Sequence, residues 1–557
     1  MDSVAEALSI AVVVASSRGA LDPLDLAAAE LALCRPGLAE DASHAWARAN
    51  LPLLVGDPGR CRASRKVPFG ATSWRAIFRR AQNPDAKIAI GADCGFRVDD
   101  TTGRLWTWGN NLGSYVTTRY PAPMRGFELA PKVKVTAVSV GISHAQSHAL
   151  ACDSAGAVWA WGHSGTVMSD GKLGTPQDER GPDDLFDGVR SQPRRVAGFG
   201  VDADALAATT RNEIEKQTPP AFAVAVAAGA AHSVAVDAAG GAWAWGSNAY
   251  GQCGRHGATE SAQPARIESL FRGGARVVAA AAGKTTTFLL DEKGKVWRCF
   301  SNAASVGAWA VERTSAAFGE RDGERDGERG SDSDASAERE VLSVYDSTRW
   351  CARAFAEHLV VTHIALTYER AVFIDRRGDA RAWGRSGDDA TGGGVFAAAV
   401  AGPLRDGDLR DAGRLRRAAV SAGHSLVLAC DGRVYGFGNN ESHEVDARAR
   451  ATFVRGPIAV SVPFSVLEQR TKDEDAAVTH AACVSIAAGT SGSVGASAAV
   501  RASDGRVLTW GAPGPWLGRG VHDRHYMWAP GNEPAPVRFE ETNDDAREDA
   551  SRERRRL

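Results

Sequence analysis

Three observations predict a mainly β protein, a seven-bladed β-propeller of about four strands per blade behind a small α-helical module. One hairpin-bearing unit recurs seven times, its basic spacing is near 53 residues, and an Ala- and Leu-rich opening stretch lacks it. The units are ruled by a Trp-Gly pair or its remnant at Trp108, Trp161, Trp245, Cys299, Trp383, Phe437 and Trp510, with gaps of 53, 84, 54, 84, 54 and 73 residues. A period in this range marks stacked or radially arranged supersecondary units.

Residues 1–85 carry the helical pattern. The spacing in Leu21 to Leu33 suits an amphipathic helix, with Asp22 as N-cap and Pro23 at the first helical position. A further helix is expected over Ser73 to Ala81, with Trp74, Ile77 and Phe78 on one face. Residues 86–540 read as the propeller. In SVAVDAAGGAWAWG, Ser233 to Gly246, apolar residues alternate on both sides of a Gly-Gly turn, as a half-buried hairpin requires. An inner strand precedes each hairpin, as in Val224 to Gly229, and Pro-containing segments such as Gln192 to Val196 and Gln263 to Ile267 supply an outer fourth strand. The last such segment, Pro534 to Phe539, has no hairpin after it, and it is expected to pair with the first unit near Ile88 to Ile90 and close the ring. Insertions are expected at about 164–219, 303–345 and 441–480, with Gly319 to Glu340 and the charged tail 541–557 too polar to offset the entropy of ordering.

Composition excludes several classes. With 65 basic and 67 acidic residues, no global field favours nucleic acid or a membrane surface. Nine scattered cysteines without a C-x-x-C pair argue against zinc and for reduced thiols, hence a cytoplasmic or nuclear protein without metal or other cofactor. The apolar stretch Ala7 to Ala15 follows Asp2 and Glu6 rather than basic residues, unlike a signal peptide, and nothing approaches the ~20 apolar residues of a membrane span.

At AAGAAHS, GAWAWGSNAYGQCG and QPARI the chain resembles the repeats of the regulator of chromosome condensation family, from about Lys87 to Glu540. The fourth unit departs at Cys299 and Phe300, the fifth carries Thr367 and Arg370 in the Gly and His places, and the seventh lacks the His. The resemblance implies guanine-nucleotide exchange on a small GTPase, or chromatin association. The N-terminal pattern looks like an F-box, a module that docks on a Skp-type adaptor of a cullin ubiquitin ligase. That resemblance implies a partner-binding face made of Leu8, Leu21, Pro23, Leu24, Leu26 and Trp46, although Pro36 and Gly37 interrupt its second helix.

The repeat residues themselves read as architecture: Gly109, His148, Trp161, Gly162, Gly229, His232, Trp245, Gly246, Gly283, Trp383, Gly384, His424, Gly438, Gly489, Trp510 and Gly511. His148, His232 and His424 each precede a hairpin glycine by the same distance, so one shared structural task, hydrogen bonding that fixes strand entry, explains all three without catalysis. Ala279 to Thr287 superficially suggests a phosphate loop, but Val278 occupies the required first glycine and a strand follows. With no catalytic constellation, the expected function is a non-catalytic protein-interaction propeller holding a protein ligand on one face. The F-box resemblance makes it the substrate-recognition subunit of a ubiquitin ligase; nucleotide exchange is the alternative.

Overall fold

The computed structural model describes residues 12, 23–33, 37–51, 71–82, 87–99, 102–110, 112, 117–124, 126, 134–141, 147–164, 171–174, 189–200, 221–254, 260–268, 270, 274–299, 344–346, 360–367, 370–385, 396–397, 413–446, 449–462, 481–491, 494–519 and 535–537. Leu8, Leu21, Gly319 to Glu340 and the tail 541–557 lie outside them.

Among the described residues three helices with defined bounds come first: α1 (Pro23–Ala32), α2 (Leu38–Asn50) and α3 (Trp74–Gln82). Pro23 opens α1, where its missing N–H costs nothing. Gly37, at φ 88°, precedes α2. Ser73 Oγ accepts from Ala76 N and Glu40 receives Trp74 N and Arg75 N, so the first turn of α3 is capped by its own serine and by α2.

Seven four-stranded antiparallel sheets follow, each ordered by chain sequence. They are β1 (Ile88–Ile90), β2 (Cys94–Val98), β3 (Leu105–Asn110) and β4 (Thr117–Pro123); β5 (Val135–Val140), β6 (His148–Asp153), β7 (Val158–His163) and β8 (Val189–Arg195); β9 (Ala223–Ala228), β10 (His232–Asp237), β11 (Ala242–Ser247) and β12 (Glu260–Arg266); β13 (Val277–Ala282), β14 (Thr287–Asp291), β15 (Val296–Cys299) and β16 (Val344–Asp346); β17 (Val361–Thr367), β18 (Arg370–Asp375), β19 (Ala380–Arg385) and β20 (Phe396–Ala397); β21 (Leu415–Val420), β22 (His424–Ala429), β23 (Val434–Asn439) and β24 (Phe453–Ala459); and β25 (Cys483–Ser491), β26 (Val494–Arg501), β27 (Val507–Gly511) and β28 (Ala535–Pro536). The first strand of each blade lines the axis, around a cavity of about 160 Å³ walled by small apolar side chains.

Each inter-blade space is filled by its own apolar cluster. Between the second and third blades, for example, Leu150, Val158, Ala235 and Trp245 pack together. The seventh space, between the last blade and the first, is filled by Ile88, Ile90, Trp108, Ala498 and Val507. This corrects the expected closure. Ala535 and Pro536 pair with Thr509 and Leu508 inside the seventh blade, and Ile88 to Ile90 pair within the first, so the ring closes by packing and not by a shared strand. A second correction concerns 441–480, which is not all insertion: it contains β24, the outer strand of the sixth blade, paired through Gly436 with Ile458 and Gly438 with Val454.

Candidate interaction surfaces

The strand directions give the propeller two faces. One carries the hairpin turns between the second and third strands of each blade; the other, the loop face, carries the turns between first and second strands and the loops after each Trp-Gly.

The helices sit on the hairpin face. Leu26, Trp46, Ile77 and Phe78 form a cluster with Phe222, Val224 and Ala238 of the third blade. Arg80 is fully buried there, donating to Val277 O at 2.8 Å and Ala238 O at 2.9 Å and pairing with Glu292 of the fourth blade. Leu26 is 0% exposed and Trp46 4%, which places both inside the chain's own core. They are therefore not surface for a second protein, because the apolar stripe that looked like a docking face is spent on the propeller. Pro23 and Leu24 lie in the first turns of α1.

The repeat residues converge at the blade junctions of the loop face. His148 Nε2 meets Ser233 Oγ of the next blade at 2.8 Å, His232 Nε2 meets Thr287 Oγ1 at 2.7 Å, and His424 Nε2 meets Ser497 Oγ at 2.8 Å. Each hydroxyl in turn donates to a loop carbonyl of the preceding blade: Ser233 to Lys172 O, Thr287 to Gln252 O and Ser497 to Glu444 O, at 2.6 to 2.8 Å. A carbonyl can only accept, so the hydroxyl proton is committed and the imidazole must donate through Nε2–H. Burial lowers all three histidine pKa values, those of His232 and His424 to about 3, which holds the rings neutral. The shared task is thus a bond between blades rather than the local fixing of strand entry.

Indoles join the same clasp. Trp245 Nε1 donates to Lys172 O and Trp510 Nε1 to Glu444 O, while Trp108 Nε1 donates to Trp516 O and so ties the first blade to the seventh. The Trp-Gly glycines Gly109, Gly162, Gly246, Gly438 and Gly511 all have positive φ, and Gly384 pairs with Arg370 in the same register. Trp383 lies in β19 beside it. Gly229 serves differently: a Cβ there would come within 2.7 Å of Gly283 O, and one on Gly489 within 2.3 Å of Gly91 O, so these turns need glycine for the close approach of neighbouring blades. Gly283 turns β13 into β14, a strand-to-strand turn as the rejection of a phosphate loop requires.

Sequence reasoning missed the hairpin aspartates. Asp153, Asp237 and Asp291 each cap the turn N–H groups through Oδ1 and accept from Trp159, Trp243 and Trp297 Nε1 through Oδ2. The signal was present, since each stands three residues before its hairpin glycine, Gly156, Gly240 or Gly294. The first tryptophans of two Trp-x-Trp pairs, Trp159 and Trp243, are consequently half-buried and bonded to their own turn, and the second, Trp161 and Trp245, are fully buried anchors. Among the described residues no cluster of His, Cys, Asp and Glu forms a metal site, and no helix is long and apolar enough to cross a membrane.

Family models for the "Regulator of chromosome condensation (RCC1) repeat" match residues 239–290, and 223–252 with 417–444. In those segments the chain carries regulator of chromosome condensation repeats. Over 311 residues, 55% of its length, it is 26% identical to human and 25% identical to mouse "E3 ubiquitin-protein ligase HERC2", of which it spans 5%. Two solved structures of the yeast protein share the fold. "Crystal structure of Kap60 bound to yeast RCC1 (Prp20)" aligns at TM-score 0.50 and 16% identity, covering 84% of this chain and 88% of the other. The Saccharomyces cerevisiae Prp20p structure, titled with "Its Binding Properties to Gsp1p and Histones", aligns at 0.51 and 17%, covering 86% and 98%. Both His232 and His424 lie within the matched residues 223–252 and 417–444.

Proposed function

We propose that this chain is a non-catalytic protein-interaction propeller that presents its loop face to a protein partner. The carrying observation is the placement of α1 to α3: they pack on the hairpin face at the third and fourth blades, away from the loop face. That face also holds Tyr250, 42% exposed, in the loop after β11, an aromatic of the kind enriched in protein interfaces. The histidines are neutral and bonded into the frame, which suits scaffolding rather than proton transfer.

Two finer readings are separable. In the ligase reading, the helices recruit a Skp-type adaptor and the propeller holds the substrate; a contact surface would centre on Leu31 of α1, 79% exposed, instead of Leu26 and Trp46. In the exchange reading, the loop face binds a small GTPase; binding to Gsp1p and histones is named for the yeast structure, so that propeller has protein partners. A full-length pull-down with a recombinant Skp-type adaptor, repeated with Leu31→Asp, tests the first: retention lost in the variant supports it, and no retention by the wild type removes it. Release of labelled GDP from small GTPases tests the second, which fails if the propeller accelerates none.

A further inference from the structure

The seven blade junctions fall into a pattern that one of them breaks. At the second-third, third-fourth and sixth-seventh junctions a histidine meets a hydroxyl across the interface. At three others both members are replaced together: Cys94 corresponds to Ala149, Thr286 to Ala371, and Ala496 to Gly95, as the pairings of Cys94 with Gly109, Ala149 with Trp161, Ala371 with Trp383, Ala496 with Gly511 and Gly95 with Trp108 place them, Thr286 standing one residue before Thr287, which pairs with Cys299. The fifth-sixth junction has lost only half. Arg370, paired with Gly384 as His232 is with Gly246, takes the histidine place, while Ser425, paired with Phe437 as Ser233 is with Trp245, keeps the hydroxyl.

Ser425 is 1% exposed and its Oγ has no hydrogen-bond partner among the described residues. Arg370 is half-buried and reaches the Ala422 carbonyl, in the turn just before Ser425, at a long 3.4 Å. Phe437 replaces the tryptophan whose indole completes the clasp in the third and seventh blades, and is smaller by a pyrrole ring. Two donors therefore face one junction on the loop face, in a space where the usual side chain is trimmed. A buried donor without an acceptor is destabilising; at the complete clasps the loop after the Trp-Gly or Phe-Gly of the preceding blade supplies one, and in the fifth blade residues 386–395 lie outside the described residues.

We propose that this junction is a carboxylate-binding notch, in which Arg370 and Ser425 donate to an Asp or Glu side chain of a protein partner. The proposal rests on the protein-interaction reading and deepens it. At complete junctions the side chains at these two register positions meet, His Nε2 to hydroxyl at 2.7 to 2.8 Å, so the Arg370 and Ser425 side chains enter one junction. Burial alone lowers the Arg370 pKa, to about 10, with no carboxylate offsetting it. One guanidinium matches one carboxylate charge, whereas a phosphate monoester, at about −1.5 to −2, would leave excess charge in a partly buried site.

The test uses the full chain and fluorescein-labelled peptides of alternating Gly with Glu, Gln or phosphoserine, read by anisotropy. The Glu peptide should bind the wild type at least about 10-fold tighter than the Gln peptide does, the loss expected for a charge-assisted bond. Arg370→His should weaken Glu-peptide binding at least about 10-fold without lowering the thermal midpoint, because the introduced imidazole can donate to Ser425 and rebuild the clasp. Arg370→Gln, which removes the charge without that repair, and Ser425→Ala should also weaken it. Equal binding by wild type and Arg370→His, equal binding of the Gln peptide, a preference for phosphoserine, or no binding at millimolar peptide overturns the notch. A protein partner retained equally by wild type and Arg370→His would overturn the notch while leaving the protein-interaction reading intact.

Discussion

Thr287 and Ser425 occupy the same register in the fourth and sixth blades, yet their removal should have opposite consequences. Thr287 Oγ1 accepts from His232 Nε2 at 2.7 Å and donates to Gln252 O at 2.8 Å, and His232 and Thr287 are both fully buried. Thr287→Val keeps the shape but strands one buried donor and one buried carbonyl, and Cys299 offers no indole to replace the lost proton. At about 1–3 kcal/mol for each of the two unpaired groups, a loss of about 2–6 kcal/mol follows. For a propeller of roughly 450 residues unfolding as one unit at ~2.1 cal/mol/K per residue, the midpoint should fall by about 2–6 °C. Ser425→Ala deletes a hydroxyl that has no partner, so it should leave the midpoint unchanged or raise it by about 1 °C. Calorimetry of the two variants side by side checks this. Equal shifts, or a larger drop for Ser425→Ala, would refute the assignment of the clasp as a stabilising bond between blades.

Gly489→Ala should weaken ring closure by about 1–3 kcal/mol, because its Cβ would meet the Gly91 and Ile90 carbonyls at 2.3 and 2.5 Å, and backbone cannot retreat; faster hydrogen exchange in β1 than in β9 is the readout. Arg80→Met removes the donors to Val277 O and Ala238 O along with the Glu292 pair, so α1 to α3 should lose about 2–3 kcal/mol of docking free energy and exchange faster while the blades keep their protection. Acidification should destabilise the fold from about pH 6.5 downward. The neutral histidines have folded pKa values below the unfolded 6.5, about 3 for His232 and His424, so the unfolded chain binds more protons in that window, and each should cost about 2 kcal/mol by pH 5. Glu444, raised to about 7 by burial, works in the opposite sense between about pH 4.5 and 7; Glu444→Gln should therefore steepen the fall in urea midpoint between pH 7 and pH 5, and an unchanged slope would count against the shift.

The blade register was legible because it is local. Alternation around Gly240 and the Trp-Gly at Trp245 and Gly246 set β10 and β11 without reference to the rest of the chain, and the same spacing carried to the other units. What crosses between blades was not legible in that way. His232 and Thr287 are 55 residues apart, and nothing within one repeat says that its histidine bonds the next repeat's hydroxyl. The clue lies in comparing adjacent copies, where a histidine in one unit goes with Ser or Thr in the next, as His148 does with Ser233 and His424 with Ser497. The closing strand was misplaced for a related reason: an outer strand and a strand shared with the first blade have the same sequence pattern, and only the pairing of Thr509 with Ala535 distinguishes them.

The helical module shows the limit from the other side. An amphipathic helix declares that it has an apolar face, not whose surface covers it. Leu26, Trp46, Ile77 and Phe78 satisfy the pattern equally well against an adaptor or against Phe222 and Val224 of the same chain. The residue that decides is polar. Arg80, fully buried, is stable only where acceptors await it, and Val277 O, Ala238 O and Glu292 all belong to the propeller. An arginine at the end of the otherwise apolar face of α3 is therefore the sequence mark of docking in cis. Any adaptor must approach the outer side of the helices, where Leu31 stands exposed, and leave the propeller-facing side undisturbed.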